Sequence, residues 1–187
     1  MRLNFRIHRQ LAFVLFLPLL ASALTGVIYR LGRSWFGIPV TLSNFLMVIH
    51  QGEFLGQRFV PVYVLFVGLG LLAMIVTGLT MLMQYRRRSR QLRRFNTRLV
   101  HRILALIIFL PLIASALTGI IYRVGKSWFG MSNQQAAIFL RIHQGTYLGS
   151  FGRNIYVLVV GVGLVTMLIT GINLTGIFRQ RQPRQPS

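Results

Sequence analysis

The chain contains no cysteine and only one acidic residue, Glu53, among its 187 residues. Without cysteine there can be no disulfide, no thiolate-held iron–sulfur cluster and no covalent haem attachment through Cys-x-x-Cys-His. A lone carboxylate side chain rules out paired acid–base catalysis and carboxylate-bridged metal sites. The side chains left to hold a metal are four histidines: His8, His50, His101 and His143. Positive charge, by contrast, is plentiful, with 21 Lys and Arg and a formal net charge of +20. In a soluble protein that excess points to nucleic acid through phosphate neutralisation. Here the cations flank four uncharged apolar runs, Leu11–Tyr29, Val60–Met83, Ile103–Tyr122 and Ile155–Phe178. Each run has roughly 19–24 residues, enough to cross a hydrocarbon core of about 30 Å as helix. The sequence predicts an all-α membrane protein with four transmembrane helices, a lipid-bilayer environment and no nucleic-acid partner.

The chain repeats itself. His8-Arg9, Leu11-Ala12, Phe16-Leu17-Pro18-Leu19 and Ala21-Ser22-Ala23-Leu24-Thr25-Gly26 return 93 residues later as His101-Arg102, Leu104-Ala105, Phe109-Leu110-Pro111-Leu112 and Ala114-Ser115-Ala116-Leu117-Thr118-Gly119. Residues 1–26 alone resemble a secretory signal ending in Ala21-Ser22-Ala23. The second copy, deep in the chain, makes the first a retained helix. The reading is a two-helix unit over 1–93, a second over 94–178, and a basic, Arg/Gln/Pro-rich disordered tail over 179–187. An even number of helices per unit inserts both copies in the same sense, so the tandem is parallel, with a pseudo-two-fold axis along the membrane normal.

Fourteen basic residues fall at the termini and in the link between helices two and three, against seven in the other two loops. The positive-inside rule then predicts a multi-pass membrane protein with both termini and the central link in the cytoplasm, and the basic link serves topology and anionic-lipid contact. The outer loops, about 30–59 and 123–154, open with Gly-basic-Ser-Trp-Phe-Gly at 32–37 and 125–130, an aromatic pair suited to the membrane interface. Residues 43–55 and 136–148 read as short amphipathic helices at the outer surface.

His8 and His101 begin helices at the cytoplasmic side, and His50 and His143 lie towards the outer side. Roughly 30 Å of helix separates the levels, so partners come from opposite repeats: His8 with His101, and His50 with His143. Two facing imidazoles can fill both axial positions of a haem iron, leaving no site for oxygen, which is ligation for electron transfer. The plainer alternative is four polar residues at helix ends. Zinc fits less well, since it prefers four close ligands. Arg9 and Arg102 on the inner side, and Arg30 and Arg123 on the outer, are candidates to neutralise haem propionates. Topology explains Arg9 and Arg102 equally well. Gly68, Gly70, Gly78, Gly161, Gly163 and Gly171 would admit either a flat macrocycle or a neighbouring helix. Thr25-Gly26, Thr77-Gly78, Thr118-Gly119 and Thr170-Gly171, one pair per helix, read as packing motifs. Pro18 and Pro111 would kink helices one and three at matching depth, and Tyr29 and Tyr122 are interfacial anchors.

The order of these motifs, His-Arg-x-Leu-Ala followed by Leu-Thr-Gly, then His-Gln-Gly-x-x-Leu-Gly and a second helix ending in Thr-Gly, resembles the PepSY-associated transmembrane-helix family over about residues 8–178. Larger relatives include iron-regulated membrane proteins and ferric-siderophore reductases that bind b-type haem on membrane histidines. The resemblance implies axial haem ligation at His8, His50, His101 and His143 and electron transfer across the membrane. The outer loops are too short for the soluble PepSY domain of those relatives, and no Gly-rich nucleotide fingerprint is present. An electron donor would therefore be quinol or a separate redox protein.

The expectation is a b-type di-haem membrane cytochrome holding two haem b groups, a haem-dependent transmembrane oxidoreductase acting on ferric iron or a ferric chelate. One alternative is a cofactor-free small accessory subunit of a larger membrane complex; either reading admits a larger complex or a homo-oligomer as partner. Another is a transporter, which the lack of ionisable residues in the apolar runs disfavours.

Overall fold

The apolar runs do not end where their hydropathy ends. In the computed structural model, which describes residues 2–86 and 97–175, the first run is part of a 34-residue helix, α1 (Arg2–Trp35), and the third part of α4 (Thr97–Trp128). Both helices continue through Tyr29 or Tyr122 into the Gly-basic-Ser-Trp motif and stop there for a local reason. Gly37 and Gly130 take φ near +60° (59° and 62°), the left-handed conformation that glycine adopts without steric penalty. The chain then folds back past the left-handed glycine, so that the Ile38 and Met131 amides donate to the Gly32 and Gly125 carbonyls six residues earlier, at 3.1 and 3.0 Å, and satisfy carbonyls at the helix end. Trp35, Phe36, Trp128 and Phe129 all stay exposed, as interfacial aromatics should.

Short helices α2 (Val40–Gln51) and α5 (Asn133–His143) follow, each succeeded by one 3₁₀ turn, at Glu53–Leu55 and Thr146–Leu148. Helices α3 (Val60–Arg86) and α6 (Gly149–Leu174) then cross back. Among the described residues, four helices are thus long and apolar enough to span a membrane, and the chain is an all-α, multi-pass membrane protein. The expected short helices begin about three residues earlier than the sequence pattern suggested. The link residues 87–96 and the tail read over 179–187 lie outside the described residues.

The long helices form a closed ring of contacts, α1 against α3 and α6, and α4 against the same two. Lipid gives apolar side chains no reason to hide, so association depends on close packing of small residues. Glycine supplies it. A Cβ at Gly68 would strike Ile120 of α4, and one at Gly161 would strike Val27 of α1. Gly70 and Gly163 likewise receive Leu15 and Ile108. These four glycines therefore seat aliphatic side chains of the neighbouring helix. At the centre, Leu15, Leu19, Ile108 and Leu112 are almost fully buried in one cluster with Leu71 and Leu168, whereas Phe13, Leu17, Ile107 and Leu110 face outwards.

Candidate functional site

Each histidine sits against a Thr-Gly pair from a different helix. Those dipeptides, read from the sequence as packing motifs, are seats. An added Cβ at Gly78 or Gly171 would lie 3.3 Å from Cε1 of His8 or His101, respectively. At Gly26 and Gly119 it would lie 3.1 and 3.2 Å from Cε1 of His50 and His143. The one-to-one match was open to sequence reading, because four Thr-Gly pairs accompany four histidines, but small residues in membrane helices usually pack helices and concealed it.

Hydrogen bonds fix the rings. We call the end where α1 and α4 begin basal and the loop end distal. In the basal layer, Thr77 and Thr170 donate their own hydroxyl protons to the Ala73 and Thr166 carbonyls at 2.8 and 2.7 Å. Each hydroxyl oxygen is then an acceptor, and Nδ1–H of His8 and of His101 donates to it at 2.9 and 2.8 Å. In the distal layer, Nδ1–H of His50 and of His143 donates to the Ser22 and Ser115 carbonyls, both at 2.9 Å. A carbonyl can only accept, so the tautomer is set. All four imidazoles keep the proton on Nδ1 and leave Nε2 unprotonated. A second hydrogen bond that orients the ring in this way is characteristic of metal-ligating histidine.

The distal histidines lie deeper than expected. Helices α2 and α5 carry His50 and His143 inwards to the level of Ser22–Gly26 and Ser115–Gly119 rather than leaving them at the surface. His8 is thus separated from the His50 seat by 14 to 18 residues of α1, about 21–27 Å, less than the 30 Å expected. Within one repeat the histidines remain far apart. Across the repeats the distal pair meets: the rings of His50 and His143 are 6.4 Å apart between centroids, inclined at 66°. An imidazole–metal bond is about 2 Å, so two rings bound to opposite sides of one metal have centroids about 6 Å apart. Among the described residues, no three metal-ligating side chains gather at one point.

Burial, and secondarily the nearby His143, lowers the pKa of His50 to about 4 against the opposing effect of the Ser22 bond. Burial also lowers that of His143. Both are neutral at physiological pH, the form that binds metal.

The arginines diverge. Arg9 is exposed and lies over the Phe5 ring at 5.9 Å. Arg102 lies close enough to His101 to act on it electrostatically. Arg123 meets Glu53 at 3.5 Å but keeps a buried Nε–H without an acceptor. Arg30 donates Nε–H to Asn154 Oδ1 at 3.1 Å and keeps a buried Nη2 without one. A buried donor without an acceptor is costly and marks room for a further oxygen ligand.

Four membrane-spanning helices with two levels of seated, neutral histidines define an all-α membrane protein built around imidazole pairs. The chain belongs to the PepSY-associated TM family, whose model matches residues 31–137. That stretch includes His50, His101 and the seats Gly78 and Gly119, but not His8 or His143. No curated protein and no solved structure matches the chain.

Proposed function

We propose that the protein is a b-type di-haem cytochrome of a bacterial inner membrane, with both termini cytoplasmic, passing electrons across the bilayer. The observation that carries this reading is the His50–His143 pair. Its rings have the spacing expected of two imidazoles on one metal, each is held through Nδ1 by a backbone carbonyl, and each has Nε2 free. His8 and His101, seated on Thr77-Gly78 and Thr170-Gly171, would hold the second group. Haem held by these histidines would supply reversible one-electron chemistry. The chain's own residues hold and orient. Threonine hydroxyls and serine carbonyls fix each imidazole, the glycines leave room for it, and Leu15, Leu19, Ile108 and Leu112 keep water out between the levels. The buried, unpaired Nε–H of Arg123 supports a propionate contact at the distal level, and Arg9 and Arg102 would serve the basal one. The donor is quinol or a redox protein, and the acceptor ferric iron or a ferric chelate.

The test is a reduced-minus-oxidised visible spectrum of the detergent-purified protein, with haem quantified per chain. Two b-type haems per chain are expected. A preparation expressed with ample haem and lacking a Soret band would leave a cofactor-free subunit of a larger complex as the better reading.

A further inference from the structure

The distal ends of α1 and α6 flank an open cavity, partly polar, that is separate from the histidine seats. Arg30, Ser34 and Trp35 on one helix, with Phe151, Arg153 and Asn154 on the other, line a cavity of about 380 Å³. Asn154, which is buried, organises its floor: Oδ1 accepts from Arg30 Nε and from Ser34 Oγ, both at 3.1 Å. Arg30 Nη2 and Arg153 Nε are both buried without an acceptor. No acidic side chain can answer them, because the only one in the sequence, Glu53, is engaged by Arg123. Two guanidinium groups held at one cavity without a counter-charge are costly until an anion joins them.

The other half of the chain does not repeat this arrangement. The positions 93 residues before Arg153 and Asn154 are Val60 and Pro61, Val60 is fully buried, and the arginine equivalent to Arg30 already has its carboxylate. Among the described residues, this pairing of two unanswered arginines with a buried asparagine is built once.

We propose that this cavity binds a phosphate oxyanion, supplied in the membrane by the headgroup of an anionic phospholipid. Guanidinium donors match phosphate oxygens in geometry as well as charge. The rim is apolar: Trp35 is 49% and Phe151 73% exposed, aromatic rings at the depth where headgroups lie. Ile28 of α1 and Ile155 of α6, one turn or two further into the bilayer, are also exposed and would meet acyl chains. Basic pockets between membrane helices recognise anionic headgroups in this way. The proposal rests chiefly on Arg153 and Asn154 and does not require haem at the histidines.

The experiment titrates the purified protein in neutral detergent with phosphatidylglycerol and, separately, phosphatidylcholine, counting retained lipid per chain by native mass spectrometry. A parallel calorimetric arm uses inorganic phosphate. One phosphatidylglycerol per chain is expected, with retention at least tenfold weaker in Arg153→Gln and largely restored in Arg153→Lys. Arg58→Gln, an equal charge change at an exposed residue in the other distal loop, should leave it unchanged. Saturable binding of inorganic phosphate, lost in Arg153→Gln, would support the oxyanion site with a soluble ligand as its source. Equal retention of the two lipids with no phosphate binding would overturn the proposal, as would equal losses in Arg153→Gln and Arg58→Gln. If Arg153→Gln lowers haem content while lipid retention stays constant, the pocket belongs to the haem and the proposal fails, leaving the cytochrome reading intact.

Discussion

The basal and distal histidine layers reach the same end by different routes. His8 and His101 lie on the membrane-spanning helices themselves, and a threonine side chain from the return helix fixes each ring. His50 and His143 arrive on short helices folded into the bundle, and a backbone carbonyl of the preceding long helix fixes each ring. Both layers place a Thr-Gly pair beside the ring, yet only in the basal layer is the threonine the closer acceptor. In the distal layer the Thr25 hydroxyl donates to Ala21 O at 2.6 Å and its oxygen stays 3.4 Å from His50 Nδ1. The invariant element is the glycine, the space it leaves and the Nδ1 tautomer that results. The acceptor is interchangeable.

That comparison can be broken most sharply at the glycines. Gly26→Val and Gly119→Val should displace the distal rings, and Gly78→Val and Gly171→Val the basal ones. Each change should remove the haem of its own layer and leave the other, as read by haem per chain and by loss of one of two redox transitions. Loss of both haems from any single glycine variant that keeps its helical content would show that the layers are not independent.

The threonines should separate the layers by a smaller margin. Thr77→Val and Thr170→Val delete the acceptor for Nδ1–H, and losing such an orienting partner typically weakens a histidine–metal bond by about 10–100-fold. Thr25→Val and Thr118→Val leave the serine carbonyls in place and should change haem retention under dilution by less than about threefold on the same argument. Equal effects in the two layers would erase the distinction drawn between them.

A further prediction concerns titration of the distal layer in the haem-free protein. His50 has an ordinary pKa of 6.5 when unfolded and about 4 when folded, so the unfolded chain binds the extra proton between those values. Stability contributed by its burial is therefore complete above about pH 6.5 and lost as pH falls towards 4. The apparent melting temperature in detergent should drop across that window, and His50→Gln should flatten the dependence. An unchanged slope would remove His50 as its source. The smallest effect is expected at the one acidic residue. The ion pair of Glu53 with Arg123 is about a fifth to a quarter exposed on each side, and Glu53→Gln should cost about 1 kcal/mol or less, seen as a shift of a few degrees in melting temperature.

Much of the architecture was legible because the constraint is simple. An uncharged run of twenty residues in lipid must be helix, since no water is present to satisfy its backbone, and the 93-residue offset set His50 against His143 rather than against His8. Depth was not legible. Hydropathy does not report that α2 and α5 fold inwards, so the distal rings were expected about a turn or two higher than Ser22 and Ser115 hold them. Nor did the uncharged runs reveal that α1 and α4 continue to Trp35 and Trp128, where left-handed Gly37 and Gly130 end them. The divergence of Arg30 and Arg123 was invisible for a different reason. Identical residues at equivalent positions acquired different partners, Asn154 and Glu53, each supplied by the opposite half of the chain.

The central claim is that each histidine is paired across the two halves at one level. Haem per chain and the redox titration of His101→Ala and His143→Ala, measured side by side with the unsubstituted protein, test it most directly. The account predicts that each variant keeps one haem, that the two survivors differ in spectrum and potential, and that His8→Ala reproduces His101→Ala while His50→Ala reproduces His143→Ala. If His8→Ala instead matched His50→Ala, or if either histidine could be removed with both haems and their spectra unchanged, the cross-half pairing would be wrong.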